Sequence, residues 1–180
     1  MAYLTVNTTG TFPVLLLSTQ IGNGAAGNTW PNSDGNLATD SGANAILNVT
    51  CLQDVTITNS TGIFSWTDFC SASINKVTTP SDNEISTNIV IDPEVFFGNS
   101  AANTLSAEYL GVSGLSQTRT EVAFRIQMND SNVAANTPSG AYWYAGRGYI
   151  SSVAPTVSPD SPVWVSPLTL AISGDIDSGS

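Results

Sequence analysis

The sequence predicts a mainly β protein with one short flanking helix and a long loop near its amino terminus. Three observations carry that reading. Apolar residues recur at every second position in several separate segments, only one segment has helical spacing, and residues 22–44 show no period.

The elements follow in order. Residues 22–44 hold Gly22, Gly24, Gly27, Gly35 and Gly42 among Asn23, Asn28, Asn32, Asn36 and Asn44. A stretch of that length without periodicity is ordinarily a functional or disordered loop. In residues 47–58, Leu47, Val49, Cys51, Val55 and Ile57 share one parity while Asn48, Thr50, Asp54, Thr56 and Thr58 hold the other, the alternation of a strand buried on one face. Ile85, Ile89 and Ile91 alternate with Glu84, Ser86, Asn88 and Asp92, and this strand is expected to end at Asp92 and Pro93. Residues 103–116 break the pattern: Leu105, Tyr109, Val112 and Leu115 fall on one helical face, with Ser106, Glu108 and Ser113 away from it. Gly111 and Gly114 weaken that helix by roughly 1 kcal/mol each relative to Ala, so packing on a sheet has to support it.

Beyond it, Val122, Phe124, Ile126 and Met128 oppose Glu121, Ala123, Arg125, Gln127 and Asn129, a further half-buried strand. Residues 142–153 and 163–172 read as a hairpin, the second strand placing Trp164, Leu168, Leu170 and Ile172 on its core side. The proline-rich connection between them lacks ladder donors and suits a turn or an edge. Residues 174–180 read as a polar tail, and the whole chain, 1–180, as a single domain.

Composition narrows the function. The chain carries 14 Asp plus Glu against 4 Lys plus Arg, a net charge of −10, no histidine, and 10% charged residues where soluble domains carry about 25%. Without histidine there is no Ser-His-Asp or Cys-His catalysis and no imidazole metal site. The acidity disfavours a grip on nucleic acid or an anionic membrane, which depends on Lys and Arg. Cys51 and Cys70 read as two buried thiols or a single pair. Residues 12–17 are too short to cross a bilayer and the first residues lack the basic stretch of a secretory signal, so the expectation is a soluble protein made in the cytoplasm.

Catalytic and binding readings are weak. Asp82 with Glu84, Asp92 with Glu94, and Asp175 with Asp177 are spaced for one strand face, yet in so acidic a chain a solvated face is the better account than a glycosidase pair. A calcium loop at residues 32–36 fails because Ala43 stands where a bidentate acid is needed. Gly146, Arg147 and Gly148 lie inside a β run, which suits a bulge and not a phosphate loop. Tyr142, Trp143 and Tyr144 read as core or inter-subunit anchors in preference to a sugar platform. No catalytic, metal or cofactor site is expected. A β-rich chain with so few charges reads as a subunit covered largely by copies of itself.

The carboxyl-terminal third carries a resemblance. The runs EVAFRIQMND at 121–130, GAYWYAGRGYISSV at 140–153 and LTLAISGDI at 168–176 resemble the major tail tube protein of long-tailed bacteriophages, and the order of elements from residue 45 onward agrees. The resemblance implies a β-sandwich with a barrel-forming sheet and a flanking helix, related in shape to type VI secretion tube proteins. It implies hexameric rings whose inner sheets join into a continuous barrel, stacked into a tube through which the genome passes at ejection. On that reading Asp54, Glu84 and Glu121 are candidate lumen-facing acids, because a conduit for DNA should not bind it. Tyr142, Trp143 and Tyr144 become candidate inter-subunit anchors, and residues 22–44 with the carboxyl tail candidate contacts between rings. The implied partners are further copies of the chain and the terminator, tape measure and distal tail proteins, with DNA passing unbound and no membrane. The implied location is the virion tail, assembled in the host cytoplasm. The competing readings are a capsid decoration or other virion structural protein, and a cell-surface carbohydrate-binding or adhesin module.

Overall fold

The computed structural model describes residues 13–23, 28–29, 31–32, 35–37, 46–50, 52–67, 74–102, 104–128, 142–158 and 161–179. Cys51 and Cys70 lie outside them. The strands are β1 (Val14–Ser18), β2 (Gly22–Asn23), β3 (Asn28–Thr29), β4 (Ile46–Val49), β5 (Leu52–Thr58), β6 (Gly62–Trp66), β7 (Asn75–Thr79) and β8 (Glu84–Val90). Helices α1 (Pro93–Phe97) and α2 (Ala107–Thr118) follow, then β9 (Val122–Gln127), β10 (Trp143–Val153), β11 (Thr156–Ser158), β12 (Ser161–Ile172) and β13 (Asp177–Gly179).

The main sheet runs β4-β1-β9-β10-β12-β8-β5, with β11 added to β12 and β13 to β10. Its neighbours are antiparallel throughout. The expected strand at 47–58 is two strands, and they stand at opposite ends of that order. Val49 and Leu52 are three residues apart, a reach of about 11 Å at most, so the two ends of the sheet must come together. The sheet therefore curls around its apolar face.

The register assigns the faces. On the inner face lie Leu15, Leu17, Leu47, Val49, Ile85, Ile89, Phe124, Ile126, Ile150, Leu168 and Leu170, all buried and joined by Phe96, Ala107, Val112 and Leu115 from the helices. Each such side chain contributes about 1.5–3 kcal/mol by leaving water. The expected hairpin is present, with Gly148 opposite Ile172 and Val153 opposite Leu168 across a bulge between Ile150 and Ser152. Its connection is more than a turn, because β11 folds back on β12 with Thr156 opposite Val165.

Several expectations need correction. The single helix is two. Asp92 caps α1, its Oδ1 accepting from the Glu94 backbone N–H at 2.9 Å, with Pro93 at the first helical position. In α2 the helix begins at Ala107, leaving Leu105 outside it and 79% exposed. Trp164, assigned to the core, is 51% exposed. Strand β9 is not half-buried: all six of its residues are buried, Arg125 and Gln127 included. Residues 177–179 of the expected polar tail form β13, pairing with Trp143, Tyr144 and Ala145.

Candidate assembly surfaces

The outer face of the sheet divides into a covered half and an open half. Over β1, β9 and the start of β10 lies part of the Gly/Asn-rich loop. Leu37 packs there with Leu16 and Ala123 in a small second core, flanked by Ile21 and Ile46. Gly35 rests on the indole of Trp143, where an added Cβ would stand 2.6 Å from a ring carbon. Its φ of +70° independently favours glycine. The Arg125 Nη1 donates to the Gly35 carbonyl at 3.3 Å, and Nη2 to Gln127 Oε1 at 3.5 Å. Burial pushes the Arg125 pKa down to about 10, so the group is still a cation at neutral pH.

The open half comprises β5, β8 and β12. Asp54 is opposite Asn88, Thr56 opposite Ser86 and Thr58 opposite Glu84 on β5 and β8. Thr169 is opposite Ser86 and Ala171 opposite Glu84 across β12 and β8. Directly opposed residues share a face, so Asp54 and Glu84 stand on one wall among Thr, Ser and Asn. Glu121 precedes Val122, whose side chain points inward, and alternation puts Glu121 on the outer side as well. The topology thus brings the three candidate acids to one side of the sheet. Asp54 and Glu84 are exposed and Glu121 is half-buried. Arg147, opposite Ala123, is the half-buried cation on that side.

Asp54 has a second task. The ladder slips between Leu52 and Asp54, and the Asp54 carboxylate spans the irregularity: Oδ1 accepts from the Asn88 backbone N–H at 2.7 Å and Oδ2 from Asn88 Nδ2 at 2.8 Å. The Thr87 hydroxyl donates to the Asp54 carbonyl. The aromatic trio also splits. Trp143 is 5% exposed, held between Gly35 and Gly179 of its own chain, which removes it as an inter-subunit anchor. Tyr142 and Tyr144 are 53% and 36% exposed.

Two apolar surfaces had no counterpart in the sequence reading. The first is a ribbon, β6 paired only with β7, that forms a sheet of its own. Apart from Gly62 and Asn75 its residues are exposed. Phe64 and Trp66 stack with ring centroids 5.9 Å apart, and Val77 stands directly opposite Phe64, so the three share one side of the ribbon with Asn75 and Thr79. The second is a groove of about 520 Å³ lined by Ile91, Pro93, Phe97, Pro155, Val163 and Trp164. The period-two run Phe64, Ser65, Trp66 was the available signal for the ribbon. Among the described residues there is no cluster of three or more Cys, Asp or Glu placed to hold a metal, and no helix is long and apolar enough to cross a membrane.

No family model matches the sequence, and no curated protein matches it. Solved structures do. A chain in the virion of a native gene transfer agent particle aligns over 75% of this chain and 89% of its own, at 14% identity and a TM-score of 0.51. A chain in the tail of an empty gene transfer agent particle, refined with C6 symmetry, aligns over 98% of this chain and 100% of its own, at 10% identity and a TM-score of 0.53. A chain of the SPP1 tail tube aligns over 93% of this chain and 77% of its own, at 12% identity and a TM-score of 0.46. At such identities the likeness is one of fold, and the mainly β fold expected from the sequence is one this chain shares with the two gene transfer agent chains.

Proposed function

We propose that the chain is a virion structural protein, the repeating subunit of a tail tube built from stacked hexameric rings. The observation that carries this reading is the open half of the sheet, a polar wall on which Asp54 and Glu84 stand among Thr56, Thr58, Ser86, Asn88 and Thr169 with no apolar cover among the described residues. The whole-length fold likeness to a chain in a tail of C6 symmetry supports it.

In the tube, the sheets of neighbouring subunits join around the bore, and the open half faces it. Strand edges in the ring gain partners, which removes the exposed-edge liability. The bore is neutral to acidic, so the DNA phosphates meet hydroxyls, amides and carboxylates and slide without the counterion-release affinity that lysines would add. The protein is not an enzyme and holds no cofactor. Its partners are copies of itself, with terminator and distal tail proteins at the tube's ends and a tape measure protein inside, in a tail assembled in the host cytoplasm. Negative-stain microscopy of the purified full chain tests the reading. Six-fold rings or open tubes are expected; a monomer at all concentrations overturns it.

A further inference from the structure

Helix α2 carries unsatisfied charge of opposite sign at its two ends. Near its start a cavity of about 320 Å³ opens between α1, α2 and β4, lined by Ile46, Asn48, Glu94, Val95, Asn99 and Glu108. Among the described residues no cation lines it. Glu108 Oε1 accepts from Asn99 Nδ2 at 3.4 Å, while Glu108 Oε2 is shut off from water with no hydrogen-bond partner. A buried carboxylate oxygen left without a donor is costly. Both acids lie in the first turn of a helix, where the backbone dipole favours negative charge. The dipole accounts for the acids but leaves the cavity and the orphaned oxygen unexplained.

At the other end stands Arg119. Its side chain is exposed, and no carboxylate pairs with it among the described residues. Its backbone is at φ +53° and ψ +40°, the one positive φ outside glycine among the described residues. Glycine or asparagine ordinarily takes that left-handed position after a helix, and a longer L side chain there is strained. The backbone is held regardless: its N–H donates to the Leu115 and Ser116 carbonyls, and the hydroxyls of Thr118 and Thr120 on either side are 2.7 Å apart. An arginine where glycine fits better points to a use for the guanidinium. That use is not in its own chain. From Glu108 to Arg119 the helix rises roughly 16 Å, beyond the reach of an arginine side chain, and Val112 and Leu115 pin α2 in the main core.

We propose that Arg119 of one copy enters the cavity at the Glu94–Glu108 end of α2 in a second copy. The apolar stem of the arginine lies against Ile46 and Val95, and its planar fork meets the two carboxylates, with the amide oxygens of Asn48 and Asn99 as further acceptors. The terminal torsion of a glutamate is soft, so Glu108 Oε2 turns to the fork. Copies that each carry a net charge of −10 repel, and this contact sets opposite charges face to face where they meet. The two surfaces differ, so the contact is heterologous and repeats from copy to copy. It rests on the tube reading for its partner and identifies one joint between the subunits of that tube.

Full-length variants test it. Arg119→Glu and Glu94→Arg, both at exposed positions, are each expected to lower the sedimented assembly about tenfold or more, as for loss of one partner of a desolvated charge pair. The double variant, with the charges exchanged, is expected to recover it. Arg119→Gly relieves the left-handed backbone, so in dilute solution it should match or exceed the wild-type urea midpoint while still losing assembly. A photo-crosslinking residue in place of the exposed Gln117 is expected to capture residues 46–48 or 94–99 of another copy. Where the wild type forms tubes, wild-type assembly from the single variants, no recovery in the double variant, crosslinks elsewhere, or a lowered midpoint for Arg119→Gly overturns the contact and leaves the tube reading standing. A wild-type chain that forms neither rings nor tubes overturns both.

Discussion

Gly98 and Gly111 lie back to back where α1 ends and α2 kinks: a Cβ on Gly111 would stand 2.4 Å from the Gly98 backbone nitrogen. Gly98 ends α1 at φ +91°, its N–H donating to the Glu94 carbonyl, and Gly111 interrupts α2 at φ +64°. Neither dihedral suits an L side chain, and neither contact leaves room for one.

The first prediction reverses helix propensity. Alanine is the better helix former by about 1 kcal/mol, yet Gly111→Ala should destabilise by about 2 kcal/mol or more, because backbone atoms cannot yield as a side chain can. Gly114→Ala, whose Cβ meets only Leu110 side-chain atoms at 3.2 Å and 3.6 Å, should stay within about 0.5 kcal/mol of wild type. Urea midpoints of the two variants check the sign; equal midpoints would dissolve the claimed contact.

A second prediction concerns the buried cation. Arg125 supports the cover segment through the Gly35 carbonyl, and Trp143 lies beneath that glycine. Arg125→Ala removes the support and leaves a cavity, with an expected cost of about 2–4 kcal/mol. Arg125→Met keeps most of the volume and removes the charge whose burial is unfavourable, so it should cost less than half as much. Denaturant midpoints rank the two. A red-shifted tryptophan emission in the alanine variant reports water reaching Trp143.

The third prediction separates the two tasks of Asp54. Asparagine retains an oxygen for the Asn88 backbone N–H, whereas alanine leaves the bulge without its clamp. Asp54→Ala should cost about 1–2 kcal/mol and Asp54→Asn less than about 0.5 kcal/mol. Thermal melts of both variants decide. If asparagine is as damaging as alanine, the carboxylate's charge is what matters and the clamp is not the reason for the residue.

These cases show what alternation makes legible. Period two located β5, β8, β10 and β12, and helical spacing found Val112 and Leu115, because each element has one face in the main core. It failed where that premise fails. Strand β1 is buried at all five positions and offers no alternation; Arg125 and Gln127 read as solvent-facing because the segment covering them is distant in sequence. The break between β4 and β5 was hidden by the shared parity of Leu47, Val49, Val55 and Ile57, all of which do point inward. Helix α1 was readable, since Asp92 followed by Pro93 and Glu94 is a helix start, but the proline was taken only as the end of a strand. Trp164 and Leu105 misled for a different reason. Their apolarity was taken for core burial, whereas both side chains lie at the surface.

The last prediction tests the wall by inverting its charge. Glu84 is exposed and Glu121 half-buried on the outer side of the sheet, and neither is required by the Asp54 clamp. Glu84→Lys with Glu121→Lys should leave ring and tube assembly unchanged, since neither position belongs to the inner core, while placing a ring of cations at every level of the bore. Each lysine engaging a phosphate releases about 0.9 counterion, so the passing DNA is held at every ring and ejection slows. Raising the salt should restore the rate, because the attraction is screened within about 10 Å at 0.1 M. The Gln pair at the same positions removes charge without adding a phosphate ligand and should eject near the wild-type rate. Single-particle ejection kinetics on tails assembled from each variant distinguish the cases. Lysine variants that eject at the wild-type rate at low salt would place these side chains outside the bore.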